Sequence, residues 1–328
     1  MGRRTKTPLT MGIDLGGTKV RIALVDSQGK VLHSLNYPTK PEKKADEIIN
    51  DIMIYADECL DKIRKKVKAL GIGVPGQVDF DGVVRYAPNL NWHDVPLKSK
   101  LERGLRMPVA VVNDVNAATW GEWSYGSGTG VGDLVVLFVG TGVGGGVVSG
   151  GRILTGCNNT AGELGHMTLV EGGRSCHCPN KGCLEAYIGG WAIAERAQEA
   201  VRTNPKEGTH LISLAGNVEE ISAKTVSQAY RRGDMLAEKL IEETGQHLAA
   251  GMVSIVNAFN PCLAVLGGGV IEGVPELVRI VDTIIRRRAL KASVEKLKVV
   301  KATLGDKAGV IGAAALAQTK IEEATSML

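Results

Sequence analysis

Met11-Gly-Ile-Asp-Leu-Gly-Gly-Thr-Lys-Val-Arg-Ile-Ala-Leu-Val25 is the segment from which the architecture of this chain can be inferred most directly. The apolar residues on both sides of Gly16-Gly17 predict two β-strands joined by a tight turn. Such a turn lets the backbone approach a phosphate, because its N–H groups point at the oxygens. Asp14 would repel a phosphate unless a cation lay between them, and Mg²⁺ accompanies nucleotide phosphates. The segment therefore predicts a phosphate-binding turn with Mg²⁺ near Asp14.

The same pattern occurs a second time later in the chain. The apolar run over 134–139 leads into the glycine-rich segment 140–146, and Val147-Val148 follows. We interpret this as a weak internal repeat, with one copy in each of two lobes. A third glycine run, Gly267-Gly268-Gly269, follows the predicted strand Leu263–Leu266. One such turn is typical of a plain hairpin, but three that each follow a buried strand favour phosphate binding.

The second glycine run has a competing interpretation. Gly140, Gly142 and Gly145 satisfy the G-x-G-x-x-G pattern of dinucleotide-binding folds. That pattern requires a helix directly after the glycines. The residues that follow, 147–151, have the pattern of a strand and a turn. We therefore favour a phosphate-binding hairpin over a dehydrogenase.

The rest of the chain alternates between helical and strand patterns. Helices are predicted at about 42–66, 223–258, 275–290 and 309–323, and strands at 69–74, 109–112 and 297–303. This alternation implies an α/β fold with layered sheets. Because 328 residues exceed what one hydrophobic core normally supports, we predict two lobes. We expect residues 1–112 to form an N-terminal lobe closed by part of the C-terminal helix, and residues 113–328 to form a C-terminal lobe with an inserted loop at about 157–185 that contains clustered cysteines.

Composition argues against several classes of protein. The net charge is +4, with 44% hydrophobic and 23% charged residues, and this composition does not require a nucleic-acid partner. The basic runs at 62–68 and 286–288 are typical of solvated helix faces and helix C-termini. No segment approaches the roughly 20 apolar residues of a membrane span, and Asp14 interrupts the apolar run that a signal peptide would need. We expect a cytoplasmic protein that binds neither nucleic acid nor membrane.

Asn113 and Asp114 follow the predicted strand 109–112, at the end of the strand where α/β proteins bind ligands. An aspartate there can accept the proton from an attacking hydroxyl, which is typically worth about 10²–10⁴ in rate. The alternative is structural, because aspartate before a helix is a good N-cap. Position alone leaves both roles of Asp114 open.

Three of the six cysteines, Cys176, Cys178 and Cys183, are crowded together. In a reducing compartment this spacing indicates a metal before a disulfide, and zinc needs one more donor. His166 and His177 are the candidates. Neighbouring residues of an extended loop point in opposite directions, so we favour His166. The prediction is a closed Cys₃His zinc site with a structural role, and three buried free thiols are the alternative.

The predicted zinc site has a functional corollary. Zinc on one ring nitrogen of His166 would fix the tautomer and leave the other nitrogen to hydrogen-bond a hydroxyl group of a polyhydroxyl ligand. Glu163 and Glu185, close to the ligands in the sequence, would be held near the same place. For either glutamate alone, a surface salt bridge is the alternative.

Six motifs together resemble the ROK family, which comprises repressors, uncharacterised reading frames and sugar kinases. The resemblance runs from Gly12 to about Ala315. It rests on Asp14-Leu-Gly-Gly-Thr-Lys19, Gly73-Val-Pro-Gly76, Asn113-Asp-x-Asn-Ala117, Gly140-Thr-Gly-Val-Gly144, Glu163-Leu-Gly-His166 and Cys176-x-Cys178-x₄-Cys183-x-Glu185. No single motif is specific, but the set is. The resemblance implies an actin-like, hexokinase-type (ribonuclease H-like) fold with two lobes and a central cleft.

The resemblance also implies a role for each motif, with Asp114 as the catalytic base. The sugar-binding residues it implies are Gly76, Asn113, Asp114, Glu163, His166 and Glu185. The ATP-binding residues it implies are Asp14, Gly16, Gly17, Thr18, Lys19, Gly140, Thr141, Gly142, Gly144 and, near the adenosine, Gly267, Gly268 and Gly269. The zinc ligands it implies are His166, Cys176, Cys178 and Cys183.

The substrate and the assembly are expectations from the same resemblance. Segments 88–92 and 154–160 resemble the glucokinases of the family, so we expect glucose, with N-acetylmannosamine, fructose or allose as alternatives. A sugar-responsive repressor would need a DNA-binding domain before the first turn, and only residues 1–10 precede the first strand. Pro179 stands where many relatives have glycine, which puts the backbone path of the zinc loop in question. We expect a homodimer or homotetramer.

Overall fold

The computed structural model describes residues 9–62 and 66–326, and it divides into two compact units. Unit 1 comprises the described residues of Met1–Gly130, Ile153–Ala161 and Thr303–Leu328. Unit 2 comprises Val131–Arg152 and Gly162–Ala302. The boundary therefore lies after Gly130, whereas the sequence suggests residue 112, and the C-terminal helix belongs to unit 1.

The strands of the described residues match most of the predicted positions. In chain order they are β1 (Leu9–Leu15), β2 (Lys19–Val25), β3 (Val31–Pro38), β4 (Val67–Val74), β5 (Gln77–Val78), β6 (Val84–Ala87), β7 (Trp92–Val95), β8 (Val109–Asn113), β9 (Leu134–Val139), β10 (Val143–Ser149), β11 (Arg152–Ile153), β12 (Leu263–Gly267) and β13 (Lys298–Lys301). The glycine turns at 16–17 and 140–142 each connect two strands, as the sequence predicts.

The predicted helices also lie close to their expected positions. In chain order the helices of the described residues are α1 (Ala45–Asp61), α2 (Leu97–Leu105), α3 (Asp114–Tyr125), α4 (Glu185–Ile188), α5 (Gly190–Thr203), α6 (Thr209–Ala215), α7 (Ala223–Tyr230), α8 (Met235–Phe259), α9 (Gly269–Gly273), α10 (Glu276–Arg288), α11 (Lys291–Val294) and α12 (Ala308–Ser326). The predicted helix 42–66 ends at Asp61, and residues 63–65 of that prediction lie outside the described residues. Within the described part of the chain, no helix is both long and apolar enough to cross a membrane.

The helical pattern at 223–258 forms two helices, α7 and α8. Gly233 between them has a φ of 73°, which favours glycine. Asp234 then caps α8 by accepting a hydrogen bond from the backbone N–H of Ala237 at 2.8 Å. The left-handed glycine and the new cap end one helix and begin the next.

Each unit is built on a five-stranded sheet, and the two sheets have the same strand order. The order is β3-β2-β1-β4-β8 in the first sheet and β11-β10-β9-β12-β13 in the second. In both, a glycine hairpin supplies two antiparallel strands, and its first strand also pairs in parallel with a later strand. This matching topology confirms the predicted internal repeat. Strands β5, β6 and β7 form a separate small sheet.

Helix α12 packs directly on the sheet of unit 1. A side chain on Gly12 of β1 would collide with the backbone of Val310, and one on Gly71 of β4 would collide with the backbone of Ala313. Both strands are almost fully buried there. The two glycines therefore allow the close approach that brings the start of α12 to the end of β1.

Helix α3 belongs to unit 1 because its buried Glu122 holds both ends of the connecting chain. The Glu122 carboxylate accepts hydrogen bonds from the backbone N–H groups of Ser127, Thr303 and Leu304 at 2.9, 3.0 and 2.7 Å. Gly121 also lets α3 approach the backbone of α12 closely. These long-range contacts explain why the boundary lies beyond residue 112.

Candidate active site

Three parallel strands of unit 1 end at the same edge of its sheet. Strand β1 pairs in parallel with β4, and β4 with β8, so that Val74 lies opposite Asn113. Asp14 is close to the end of β1, and Gly76 follows the end of β4. Ligands of α/β sheets bind at such carboxyl ends. The predicted residues Asp14, Gly76, Asn113 and Asp114 are therefore brought to one edge.

Asn113 caps helix α3. Its side-chain oxygen accepts hydrogen bonds from the N–H groups of Val115 and Asn116 at 2.9 and 3.1 Å. Its amide group donates to the carbonyl of Gly76 at 3.1 Å. Asp114 is the half-buried first residue of the helix, and its carboxylate accepts from the N–H of Val115 at 2.9 Å. The cap is thus supplied by Asn113, while the role of Asp114 as a base stays a prediction.

The first glycine turn joins β1 to β2. The N–H of Gly16 donates to the carbonyl of Lys19 at 2.8 Å, and the Thr39 hydroxyl donates to the carbonyl of Gly16 at 2.7 Å. Thr18 and Lys19 are exposed, and Gly17 is half-buried. The turn is therefore held from one side and open to a ligand at Thr18 and Lys19.

Asp14, at the base of this turn, is a suitable ligand for Mg²⁺. Burial raises the pKa of its carboxyl, and the charges of Arg21 and Lys19 oppose that rise. A side chain on Gly309, in the first turn of α12, would come within 2.9 Å of the carboxyl carbon, so the helix start lies against the acid. Mg²⁺ in nucleotide sites commonly binds one or two carboxylates plus the phosphates. The poorly hydrated carboxylate beside a phosphate-type turn matches that donor set.

The second glycine turn is held by the start of α5. The N–H of Gly140 donates to the carbonyl of Gly142 at 2.9 Å, which closes the turn. The N–H groups of Gly190 and Trp191 donate to the carbonyls of Gly140 and Thr141 at 2.9 and 3.1 Å. A side chain on Gly140 would meet none of the described residues within 4 Å. The turn is therefore fixed by the helix, and its outer side is open.

The remaining glycines of this run have a packing role. Gly144 lies inside β10, opposite Phe138, and so outside the turn. A side chain on Gly145 would come within 2.7 Å of Leu164, and one on Gly165 would collide with the carbonyl of Val143. These glycines let the segment 162–166 lie directly on β10. Because a strand follows the turn instead of a helix, the dinucleotide interpretation is excluded.

The third glycine turn contributes to the same pocket as the second. Gly267 ends β12, and Gly268 has a φ of 90°, so that the chain turns into α9 at Gly269. The pocket has a volume of about 650 Å³, within the range of small-molecule sites. Residues that line it include Gly140, Thr141, Trp191, Ser222, Lys224 and Gly269. Two of the three predicted turns thus meet at a cavity large enough for a nucleoside.

The sequence does not predict Trp191, Ser222 or Lys224 as pocket residues. Ser222 is recognisable as the cap of α7, where its hydroxyl accepts the N–H of Thr225 at 3.2 Å. A glycine pair at the start of α5 is the local signal near Trp191. Only the packing of unit 2 brings the starts of these two helices to one cavity.

The four predicted metal ligands form one cluster. The nearest ligand atoms of His166, Cys176, Cys178 and Cys183 all lie within 4.8 Å of one another. His166 Nδ1 is 3.7 Å from the Cys176 sulfur, and the Cys178 and Cys183 sulfurs are 3.6 Å apart. Zinc with Zn–S bonds of about 2.3 Å requires ligand atoms at about these separations. The cluster is compatible with one tetrahedral Zn²⁺.

Hydrogen bonds hold the loop around the cluster, which contains Pro179. The N–H of Cys176 donates to the carbonyl of Asn180 at 3.3 Å, and the Asn180 amide donates to the Thr168 hydroxyl at 3.0 Å. Burial raises the pKa of the Cys176 thiol to about 12. Metal ligation requires the thiolate, and a bound cation favours that charged form. His177 points away and stacks on Trp191, which leaves His166 as the fourth donor.

The two predicted glutamates lie beside the cluster. Glu185 is buried at the start of α4, where its Oε2 accepts the N–H of Val143 at 2.7 Å and its Oε1 is 3.8 Å from the Cys176 sulfur. Glu163 is an exposed residue, but its carboxyl is partly shielded from water, and this desolvation raises the pKa of the carboxyl. His166 opposes that rise and Glu185 adds to it. Unit 2 therefore brings together Glu163, His166 and Glu185.

Known proteins with similar sequences include glucokinases and transcriptional repressors. The profile of the ROK family matches residues 10–320. A glucokinase of Streptomyces coelicolor is 33% identical over 315 residues, which cover 94% of this chain and 98% of that protein. A putative xylose repressor of Caldicellulosiruptor sp. is 31% identical over 312 residues, which cover 94% of this chain and 77% of the repressor.

Solved structures agree with the sequence relatives. The crystal structure of a ROK family glucokinase from Streptomyces griseus, in complex with glucose and AMPPNP, is 34% identical and has a TM-score of 0.83. The match covers 95% of this chain and 99% of that chain. The α/β fold is thus the actin-like, hexokinase-type fold that the motifs predict. With the profile matching nearly the whole chain, the protein belongs to the ROK family.

Proposed function

We propose that this protein transfers the terminal phosphoryl group of ATP to glucose, giving glucose 6-phosphate. Relatives named glucokinase match it over almost their whole length, and the Streptomyces griseus structure contains glucose and AMPPNP. The observation that carries the proposal is the division of roles at the end of β8. Asn113 supplies the side-chain cap of α3, and Asp114 follows it as the first residue of the helix, at the carboxyl end of β8 where ligands of α/β sheets bind.

Asp114 accepts the proton of the attacking sugar hydroxyl as the phosphoryl group is transferred in line. Asn113 and the backbone of Gly76 bind sugar hydroxyls beside it. Their mutual hydrogen bond of 3.1 Å supports this assignment, because it holds both groups in one orientation. A preoriented polar group loses little entropy when the substrate binds.

Glu163, His166 and Glu185 bind further sugar hydroxyls. The hydrogen bond from the Val143 N–H fixes one oxygen of Glu185 and leaves the carboxylate rigid. His166 directs Nδ1 to the cysteine cluster, so its Nε2 is the atom that contacts the sugar. A bound Zn²⁺ supplies the fixed tautomer and orientation of that imidazole.

ATP binds through the glycine turns. The nucleoside occupies the 650 Å³ pocket against Trp191. Backbone N–H groups of the turns at 16–19 and 140–142 contact phosphate oxygens, apart from those of Gly16 and Gly140, which close the turns. Gly144 lies two residues beyond the turn, in β10 opposite Phe138. Mg²⁺, held by Asp14, supplies neutralisation of the phosphate charge.

The first experiment is a coupled ADP-release assay with ATP and Mg²⁺. It compares glucose with N-acetylmannosamine, N-acetylglucosamine, fructose, mannose and allose. We expect glucose to be the preferred substrate. Preference for another hexose would support the kinase activity but contradict the choice of glucose as its substrate. If folded, zinc-loaded protein releases no ADP with any of these sugars, the proposal is contradicted and a regulatory function, as in the repressor relative, is favoured.

The role of Asp114 is tested by Asp114→Asn. We expect kcat to fall by about 10²–10⁴ with little change in the affinity for glucose, because a positioned base acts on the proton in the transition state. Asp57→Asn is the matched control, since Asp57 is exposed on α1. Near-wild-type turnover of Asp114→Asn would show that another group is the base.

We further propose one structural Zn²⁺ per chain, a homodimer or homotetramer, and a cytoplasmic location. All six cysteines are free thiols, which is typical of a reducing compartment. Zinc content by mass spectrometry and molar mass by light scattering test the first two parts. Zinc-free purified protein that folds and binds glucose would contradict the structural zinc.

A further inference from the structure

The cysteine loop, residues 174–183, packs against helix α5 at two points. Arg174 donates two hydrogen bonds to Glu199 at 3.0 and 2.7 Å. The His177 ring stacks on the indole of Trp191, with ring centroids 4.2 Å apart and an interplanar angle of 26°. The loop that carries three of the four predicted zinc ligands is thus attached to the start and the middle of one helix.

The start of the same helix holds the second glycine turn. Gly190 and Trp191 donate their N–H groups to the carbonyls of Gly140 and Thr141. The Trp191 residue also lines the pocket proposed for the nucleoside. Trp191 therefore contacts the cysteine loop with its ring and the phosphate turn with its backbone.

The orientation of the Trp191 indole depends on packing alone. Its Nε1–H is buried and has no hydrogen-bond partner among the described residues. Without such a bond, the rotation of the ring is set by the groups that lie against its faces and edges. His177 is one of these groups and is itself exposed, so the loop must hold it in place.

We propose that His177 and Trp191 are positioning residues that couple the cysteine loop to the nucleotide pocket. Zinc orders the loop, the loop holds the His177 ring on Trp191, and Trp191 keeps the pocket and the turn at 140–142 in the binding geometry. By linkage, zinc and nucleotide each increase the affinity for the other by the same factor. The inference rests on the proposed function in one respect, that ATP binds in this pocket.

His177→Ala separates this coupling from metal ligation, because the four ligands stay intact. We expect a normal zinc content, an affinity for AMPPNP reduced about threefold to tenfold, and an equally raised KM for ATP. The values of kcat and of KM for glucose should change little. His177→Phe should restore most of the nucleotide affinity, since it keeps a ring on the indole. His210→Ala is the matched control, as His210 lies on α6 outside the pocket lining.

A second measurement uses tryptophan emission and requires no turnover. Chelation of zinc from the wild type should shift the emission and lower the affinity for AMPPNP at least as much as His177→Ala does. In Trp191→Phe the shift should disappear, because the other tryptophans lie outside unit 2. In His177→Ala, chelation should change the emission far less than in the wild type.

The outcomes distinguish the coupling from the proposed function. If Trp191→Ala binds AMPPNP like the wild type, the nucleotide lies elsewhere and the proposed pocket is wrong. If Trp191→Ala binds AMPPNP weakly while His177→Ala and zinc-depleted protein bind it normally, the assignment of the nucleotide pocket is supported and the proposed coupling is wrong. If His177→Ala loses zinc and unfolds, while His177→Phe keeps zinc but binds AMPPNP poorly, the stacking role is refuted.

Discussion

Replacing Gly142 by alanine should disturb a carboxylate on the far side of the second glycine turn. A Cβ at this position would lie 2.6 Å from Oε2 of Glu185, closer than real Cβ contacts allow. Glu185 is only 9% exposed, so its carboxylate has little space to move. The same oxygen accepts the N–H of Val143 at 2.7 Å. One added methyl group would therefore disturb the turn, this hydrogen bond and Glu185, which is a predicted sugar-binding residue.

The expected loss of stability follows from these contacts. If the carboxylate moves, the Val143 N–H loses a charged acceptor, and such a hydrogen bond is worth about 1.5–3 kcal/mol. If it does not move, overpacking costs about 1–3 kcal/mol. The two costs are alternatives, because moving the carboxylate relieves the clash. For a unit of this size, a loss of this order lowers Tm by roughly 2–12 °C.

Gly140→Ala in the same turn is the matched control. A Cβ there would meet nothing within 4 Å, and neither glycine has a positive φ. We expect Gly140→Ala to change Tm by no more than about 1–2 °C. Scanning calorimetry measures both variants, and calorimetric titration with glucose should show weaker binding only for Gly142→Ala. Equal Tm values for the two variants would refute the packing argument, and unchanged glucose affinity of Gly142→Ala would refute the role of Glu185.

Two further predictions concern buried carboxylates of unit 1. Burial raises the pKa of Asp14 above its usual value of 3.8, so the folded state binds the proton more tightly, and stability falls as pH rises between the unfolded and folded pKa values. Asp14→Asn should remove this contribution to the pH dependence of the free energy of unfolding, and it should also lower ATP turnover. Urea unfolding at several pH values from 3.5 to 7 measures the pH dependence. If the pH dependence is the same in Asp14→Asn as in the wild type, the raised pKa does not belong to Asp14. Glu122→Gln should cost about 1–3 kcal/mol in urea unfolding, because one amide oxygen cannot replace both carboxylate oxygens as acceptors for three backbone N–H groups. Exposed Glu42→Gln is its control, and equal stability of the two variants would show that the three hydrogen bonds contribute little.

Features that depend on neighbouring residues can be predicted from the amino-acid sequence. Apolar runs around glycine pairs predicted the two hairpins, and both form with the predicted turns. The spacing of Cys176, Cys178 and Cys183 predicted a metal cluster, and the argument about loop direction selected His166 over His177. Such features are set by the pleat of a strand, the freedom of glycine and the reach of a side chain, all of which act over a few residues.

Features that join distant segments become visible only in the folded protein. The boundary after Gly130 depends on Glu122 and the chain near residue 303. The pocket at Trp191 depends on the packing of α5 against a turn about fifty residues earlier. The close approach of Gly142 and Glu185 likewise has no local signature. Close packing fixes such contacts to within a few tenths of an ångström, whereas hydrophobic pattern records only which face of an element is buried.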